Sequence, residues 1–408
     1  MKFKVENKVL EKALKRFTPN KSGFVPPVEI TTTKAGLMLK NPTCTIAWNI
    51  SCLMIPEANC FDCNEAAYVD LCDLLRLSKL GGYAEYEARY GDGDSAGELC
   101  VSVSAGGKNK TAAVILRERG EFYTRARTDA EIGEKNPEQA VCNYVEADAP
   151  CGFVYNDPDI AFTVPAADAG KFLDYLSNCT KLVSDNPSSG ILLKEKFGNL
   201  RVSAYDSALL SVWDTQFKCA PDMFPENGFR ADDVAAMLKL AGNTTDEIRC
   251  RIGGSRIVFE SATWCYDCNH DPRPHLNVDS ILANGKFEQR KSFEVSASDV
   301  LANTKELDAA LKTDKSGKPI LLSGGGNTLC MSIHTPRYTQ ENTIETRGDD
   351  ISEDMYVYMN PAILTAGFRM FDSDDVTVRY GSAVDGLYAK ADDIAVFMLP
   401  VSPSTVRD

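Results

Sequence analysis

Two cysteine pairs have the spacing of zinc ligands: Cys60-Phe61-Asp62-Cys63, and Cys265-Tyr266-Asp267-Cys268 followed by Asn269 and His270. Thiolates so spaced can share one tetrahedral ion. The two pairs stand roughly 200 residues apart, in different predicted domains. We read them as unliganded thiols and expect no metal and no cofactor. A metal-dependent enzyme built on Cys265, Cys268 and His270 is the remote alternative. The fourteen cysteines are scattered, mostly in apolar runs, as reduced core residues of a large cytoplasmic chain are. Gly324-Gly325-Gly326-Asn327 has the glycines of a phosphate cradle but lacks Gly-Lys-Ser/Thr. It joins the strand-like runs 320–322 and 328–331, so a hairpin turn is expected. His270, His275 and His334 are the only histidines, and no nucleophile motif accompanies them. The carboxylate pairs Asp374-Asp375 and Asp392-Asp393 fall at predicted turns, where acids are ordinarily solvated. The expectation is a chain that works without catalysis.

The elements that position these residues recur. Phe3-Lys-Val5 is followed by a helix through Val9, Leu10, Ala13, Leu14 and Phe17. Ala161-Phe-Thr-Val164 precedes a helix through Ala169, Phe172, Leu173 and Leu176, and Ser292-Phe-Glu-Val295 one through Val300, Leu301, Leu307, Ala310 and Leu311. Each copy is a short strand, a gap, then apolar residues at helical spacing, with strand-like runs after it. A second half-unit opens at Ala67-Tyr-Val69, at Gly228-Phe-Arg230 and at Tyr356-Val-Tyr358. In its last copy Asn360-Pro361 supplies a cap residue and a proline at the first helical position. The fold class expected is α+β: three domains, 1–157, 158–289 and 290–408, each of two strand–helix–strands halves. A repeat this long is domain triplication and not a solenoid. Residues 118–157 and 267–290 are expected as polar junctions, and 337–352 as a polar loop.

Hydrophobic content of 44% and charge of 25% over 408 residues suit a soluble protein of two or three domains. No run has the apolar length of a membrane span. Met1-Lys-Phe-Lys-Val-Glu6 is already patterned as a strand, so no signal peptide is expected and the cytoplasm is the expected compartment. Net charge is −14, which argues against a generic nucleic-acid binder. Its distribution qualifies that. Helices are expected over 6–17, 71–80, 165–182, 231–241, 297–312 and 360–371; together they net +2, leaving −16 elsewhere. Each has a middle or late base: Lys12, Lys15, Arg16, Arg76, Lys79, Lys171, Lys181, Lys239, Lys305, Lys312 and Arg369. Taken singly these are solvated helix faces with bases near C-termini. If equivalent helices share one side of the assembly, they make a modest positive lining that attracts a phosphate backbone without holding it tightly.

The opening Met1-Lys-Phe-Lys-Val-Glu6 with Leu10, Ala13 and Leu14, the middle Leu200-Arg-Val-Ser-Ala-Tyr-Asp206 with Leu209, and the end Phe397-Met-Leu-Pro400 resemble the bacterial-type DNA sliding clamp, the beta subunit of DNA polymerase III. The resemblance covers essentially the whole chain. It implies three similar domains per chain and two chains head to tail in a closed ring, with twelve helices around the hole. It also implies a processivity factor that encircles duplex DNA, a DNA polymerase as partner, a clamp loader ATPase to open the ring, and repair or replication proteins bound through short peptides. A peptide pocket is implied at Tyr205, Ser207, Ala208, Leu209, Leu210, Phe397, Met398, Leu399 and Pro400. Peptide capture there needs shaped apolar surface and no catalytic group. The chain departs from the family where Thr-Asp-Gly-His-Arg-Leu is usual: it has Tyr205-Asp-Ser-Ala-Leu-Leu210, and its tail runs on to Asp408. The rivals are a trimeric-type clamp, which has two domains per chain, and a decoy clamp that binds polymerase peptides without encircling DNA.

Overall fold

The structure, a computed structural model, describes residues 1–17, 27–44, 48–90, 97–105, 108–117, 144–145, 154–155, 160–183, 189–220, 228–253, 256–269, 276–285, 287, 290–313 and 317–402. Strand, helix and three strands recur along it. The first run is β1 (Lys2–Glu6), α1 (Asn7–Leu14), β2 (Pro27–Thr33), β3 (Gly36–Cys44) and β4 (Trp48–Ile55). A two-residue strand β5 (Asn59–Cys60) precedes the second: β6 (Ala66–Asp70), α2 (Leu71–Ser78), β7 (Tyr83–Arg89), β8 (Glu98–Ala105) and β9 (Lys108–Ile115). A small pair, β10 (Tyr144–Val145) and β11 (Val154–Tyr155), follows. The third run is β12 (Ile160–Val164), α3 (Ala169–Leu182), β13 (Gly190–Lys196), β14 (Asn199–Asp206) and β15 (Leu209–Lys218). The fourth is α4 (Ala231–Ala241), β16 (Ile248–Gly253), β17 (Arg256–Glu260) and β18 (Trp264–Asn269), with Phe229 bridged to Ile191 before α4. After α5 (Val278–Asn284) come β19 (Lys291–Ser296), α6 (Ala297–Thr313), β20 (Ile320–Gly325), β21 (Thr328–His334) and β22 (Thr339–Glu345). The last is β23 (Tyr356–Met359), α7 (Pro361–Phe368), β24 (Asp375–Tyr380), β25 (Leu387–Ala391) and β26 (Ile394–Met398).

The chain divides into two compact units, one of Met1–Leu173 with Asp233–His270, the other of Asp174–Asp232 with Asp271–Asp408. The division passes through α3 and α4, so it splits the middle repeat instead of following the sequence repeats. The first unit holds a five-stranded sheet, β5-β1-β7-β8-β9, and an eight-stranded sheet, β12-β16-β17-β18-β4-β3-β2-β6. The second holds a seven-stranded sheet, β13-β14-β15-β26-β25-β24-β19, and a four-stranded sheet, β22-β21-β20-β23. All described pairs are antiparallel. In both larger sheets the third strand of one half pairs with the third strand of another. β4 pairs with β18, Leu53 opposite Trp264; β15 pairs with β26, Leu209 opposite Met398.

Local chemistry explains the elements. Phe3 and Val5 alternate inward on β1, and α1 turns Leu10, Ala13 and Leu14 onto the same core, with Phe3 stacked on Tyr86 at 4.8 Å. Each large side chain so buried contributes roughly 1.5–3 kcal/mol. Asn360 Oδ1 accepts from the Ala362 amide at 2.8 Å and Pro361 sits at the helix start, as expected. Gly367 lets α7 lie close on the sheet; a Cβ there would meet Met398 Sδ at 2.5 Å. The triple glycine is a hairpin turn: Gly325 pairs with Thr328, and Gly326 has φ +58°.

Two expectations are corrected. Residues 337–352, read as a polar loop, contain strand β22. Its Thr-Gln-Glu-Asn-Thr-Ile-Glu buries only Ile344, and its inward polar side chains bond α6 instead: Gln340 donates to Glu306 at 2.7 Å and Asn342 to Asn303 at 2.9 Å. The junction 267–290 contains α5, capped by Asn277 Oδ1, which accepts from the Ser280 amide at 3.0 Å. The 118–157 junction, apart from its two short strands, lies outside the described residues, as do His270 and His275.

Candidate nucleic-acid and peptide interfaces

Ten of the eleven helix bases are exposed; Arg16 is half-buried. Several are engaged locally. Lys15 pairs with Glu11 at 2.7 Å, Arg76 with Asp73 at 3.2 Å and Lys312 with Asp308 at 2.6 Å. Lys181 donates to Asn178 at 3.4 Å. Arg16 and Lys239 bond the C-terminal carbonyls of neighbouring helices, and partial burial pulls the Lys239 ammonium pKa down. Lys171 is exposed. Lys12, Lys79, Lys305 and Arg369 are exposed with no ion pair among the described residues, which leaves them the most available to a phosphate. Exposed surface pairs are worth little in water, so Lys15, Arg76 and Lys312 can exchange their acids for phosphates at small cost.

Of the nine residues expected to form the pocket, the five on strands fall on the two faces of the seven-stranded sheet. Tyr205, Leu210 and Phe397 stand in one cross-strand row. With Val212 and Leu192 they pack under Val278, Ile281 and Leu282 of α5. Phe287 extends this apolar surface, 5.2 Å from Phe397 and stacked at 4.4 Å on Tyr388. Leu209 and Met398, one residue out of phase, face the opposite way. Both are buried, and Met398 lies against Gly367 of α7. Adjacent strand residues point to opposite faces, so the contiguous stretches cannot all line one groove. Ser207 and Ala208 form the β14–β15 turn, and the Ala208 carbonyl accepts from the Leu399 amide at 2.8 Å. Leu399 is 40% and Leu276 39% exposed, and Pro400 is half-buried. The Leu276 amide donates to the Tyr205 hydroxyl at 3.3 Å. The apolar site is therefore Tyr205, Leu210 and Phe397 beneath α5, with Leu276 and Leu399 showing surface to solvent.

Charge fixes α5 in place. Asp279 accepts from Lys196 at 2.7 Å, Arg201 at 2.7 Å and Lys194 at 3.2 Å. These bonds, that from Lys196 foremost, hold its carboxyl at about 2. Arg201 in turn forks onto Asp214. Sequence reasoning missed α5 and this anchor. The signal was Val278, Ile281 and Leu282 at i, i+3 and i+4 behind Asn277, hidden by brevity among prolines and asparagines.

The Cys265–Cys268 pair does not converge on one point. Cys265 and Cys268 are three apart on β18, so their side chains leave opposite faces of the sheet. Cys265 stands opposite Cys52, and both are buried. Cys60 is half-buried and Cys63 exposed; burial raises the Cys60 thiol pKa. Among the described residues no group of three or more His, Cys, Asp or Glu could hold a metal. Asp374, Asp375, Asp392 and Asp393 are exposed. No helix among the described residues is long and apolar enough to cross a membrane.

Of the third strands of the six halves, β9 and β22 are the two that stand at a sheet edge among the described residues. The Leu116 amide bonds Gly97, and the Thr346 amide bonds Asn327. Alternation then turns the backbone groups of Asn109, Thr111, Ala113 and Ile115 on β9, and of Thr339, Glu341, Thr343 and Glu345 on β22, away from their own sheets. All eight residues are exposed.

No protein-family model matches the sequence, and no curated protein matches it. Among solved structures the fold is that of bacterial DNA sliding clamps. The DNA polymerase III subunit beta of Pseudomonas aeruginosa superposes with a TM-score of 0.72 at 13% identity, covering 98% of this chain and 100% of that one. The Helicobacter pylori beta clamp bound to a DNA ligase peptide gives 0.70 at 13%, covering 98% and 100%. The Bartonella birtlesii sliding clamp bound to griselimycin gives 0.71 at 14%, with the same coverage.

Proposed function

We propose that the chain is a divergent sliding clamp, a non-catalytic processivity factor that encircles duplex DNA and tethers a replicative polymerase. The observation that carries this beyond the likeness of fold is the pairing of third strands. Six halves supply six such strands: β4, β9, β15, β18, β22 and β26. In each joined pair, β4–β18 and β15–β26, a first half meets the second half of another repeat. β22, from a first half, and β9, from a second half, are left over. A second copy satisfies both twice, giving six domains in a head-to-tail dimer, the closure expected of a heterologous interface. Exposed Lys110 on β9 and exposed Glu341 and Glu345 on β22 give the two edges opposite charge. The three domains are 1–157, 158–289 and 290–408.

In this reading the helix bases touch phosphate in passing, and the closed ring supplies retention, so affinity stays low and sliding fast. Tethering raises the polymerase's effective concentration at the primer end. The apolar row under α5 takes the peptide tails of the polymerase, the clamp loader ATPase and repair proteins, in the cytoplasm. A relative of the same fold is bound to a ligase peptide. The deciding experiment is retention on DNA after treatment with a clamp loader and ATP. The protein should remain on a nicked circle and run off once the circle is cut. Equal loss from both would reject a topological clamp.

A further inference from the structure

The first unit contains a cleft of about 370 Å³ between α1 and the end of β4, lined by Lys8, Lys12, Leu53, Ile55, Pro56 and Thr263. That is at the small end of ligand-pocket sizes and suits a body no larger than one nucleotide. Its walls differ in chemistry. Lys8 and Lys12 are exposed, a helical turn apart on one face of α1, and neither has an ion pair among the described residues. Residues four apart stand about 6 Å apart along a helix axis, so both ammonium groups can address one phosphate or two consecutive ones. Arg16, the next base on that face, also lines the cleft while its guanidinium bonds the Leu240 carbonyl. Leu53 and Ile55 back the opposite side but are almost wholly buried, so the apolar surface open to a ligand there is that of Pro56. Pro56 and Glu57 stand exposed at its edge.

A ligand that satisfies both walls has an anionic end and a flat apolar body. We propose that this cleft binds a nucleoside phosphate, with the phosphate between Lys8 and Lys12 and the base against Pro56. Glu57 is the acceptor for a sugar hydroxyl or a base amino group. The site is formed by one chain, so it stands whether or not the chain closes a ring. Its ligand is either a free nucleotide or an unpaired nucleotide of a DNA strand.

The test uses the full chain and three probes: thymidine 5′-monophosphate, inorganic phosphate, and a single-stranded oligothymidylate beside a duplex of equal length. Binding is read by calorimetry and by chemical-shift changes. Expected is monophosphate binding at about 1 mM, with inorganic phosphate about tenfold weaker because it lacks the apolar contact. Lys8→Glu and Lys12→Glu should each weaken nucleotide binding by about tenfold or more. Thr263→Trp, which fills the cleft and leaves the helix charges intact, should abolish it while duplex binding is unchanged. That variant separates the cleft from a helix surface that attracts phosphate in general. If the oligonucleotide responds to Thr263→Trp and the free nucleotide does not bind, the source is an unpaired strand and the site stands. Nucleotide and oligonucleotide binding both unaffected by Thr263→Trp, in protein with wild-type melting, would overturn the proposal.

Discussion

Arg16 and Lys239 each close the helix that carries the other. Arg16 Nη1 on the turn after α1 donates to the Leu240 carbonyl at the end of α4, at 3.5 Å. Lys239 Nζ on α4 donates to the Phe17 carbonyl just past α1, at 3.0 Å. Helix ends leave carbonyls without intrahelical partners, and cations are favoured there by both hydrogen bonding and the helix dipole. The two bases are therefore structural as well as basic. Lys239→Ala should lower stability by about 1 kcal/mol, and Arg16→Ala by less, because a 3.5 Å bond is at the limit of useful length. Urea unfolding of the two variants checks the order. A larger loss from Arg16→Ala would show that its bond to α4 is the stronger one.

DNA attraction should instead rest on the unpaired bases. Lys12→Ala is expected to lower the slope of log affinity against log salt by about 1, the effect of one lost phosphate contact. Arg76→Ala, which frees Asp73, should change it no more than that. Duplex binding that is tight, sequence-selective or indifferent to Lys12 would remove the helix surface from consideration.

The repeat was legible because it rests on periodicity. Phe3 with Val5, and Leu10 with Leu14, alternate at strand and helix spacing, and the structure builds β1 and α1 from them. Asn360-Pro361 placed the start of α7 to the residue. Strand β22 was illegible because its inward positions are Gln340 and Asn342, which bond α6 and so never appear as apolar alternation. The pocket was half legible. The two stretches do meet, Leu210 opposite Phe397, but which of Leu209 and Leu210 meets α5 depends on which face of the sheet each helix covers, and residue types do not encode that.

The anchor of α5 should be visible as a pH effect. The Asp279 carboxyl sits at about 2 in the folded chain, below its ordinary value of 3.8. A depressed folded value means its stabilisation is complete above roughly pH 4 and is lost as pH falls toward 2. Wild type should thus exceed Asp279→Asn in stability at neutral pH, and the difference should shrink through that window. A difference of constant size from pH 7 to pH 2 would show that Asp279 stays neutral or unpaired.

The dimer proposal has a variant that isolates it. Light scattering should give about 89 kDa, twice the 44.7 kDa chain. Ala113→Pro removes an amide that points away from β8, so the sheet inside the chain keeps its bonds. That variant should be a folded monomer of the single-chain mass. Wild-type protein found only as monomer or trimer at high concentration would reject pairing of β9 with β22.

The peptide site yields the sharpest prediction, because the structure separates residues that the sequence runs together. Leu209→Asp looks like a clean way to block a groove, but Leu209 is 5% exposed, beside Met398 on the face covered by α7. A carboxylate there is buried without a partner, so the variant should unfold or lose its melting cooperativity before it reports on binding. Leu399 and Leu276 are the better probes, each over a third exposed beside the row of Tyr205, Leu210 and Phe397. An apolar anchor of a partner peptide that buries a large side chain there gains roughly 1.5–3 kcal/mol. Leu399→Asp and Leu276→Asp should therefore each weaken the tail peptide of the cognate polymerase by about 10- to 100-fold while mass and melting stay those of wild type. Fluorescence polarisation with a labelled tail peptide reads the change. If both variants bind the peptide as wild type does, the apolar row beneath α5 is closed core and the peptide site lies elsewhere on the chain.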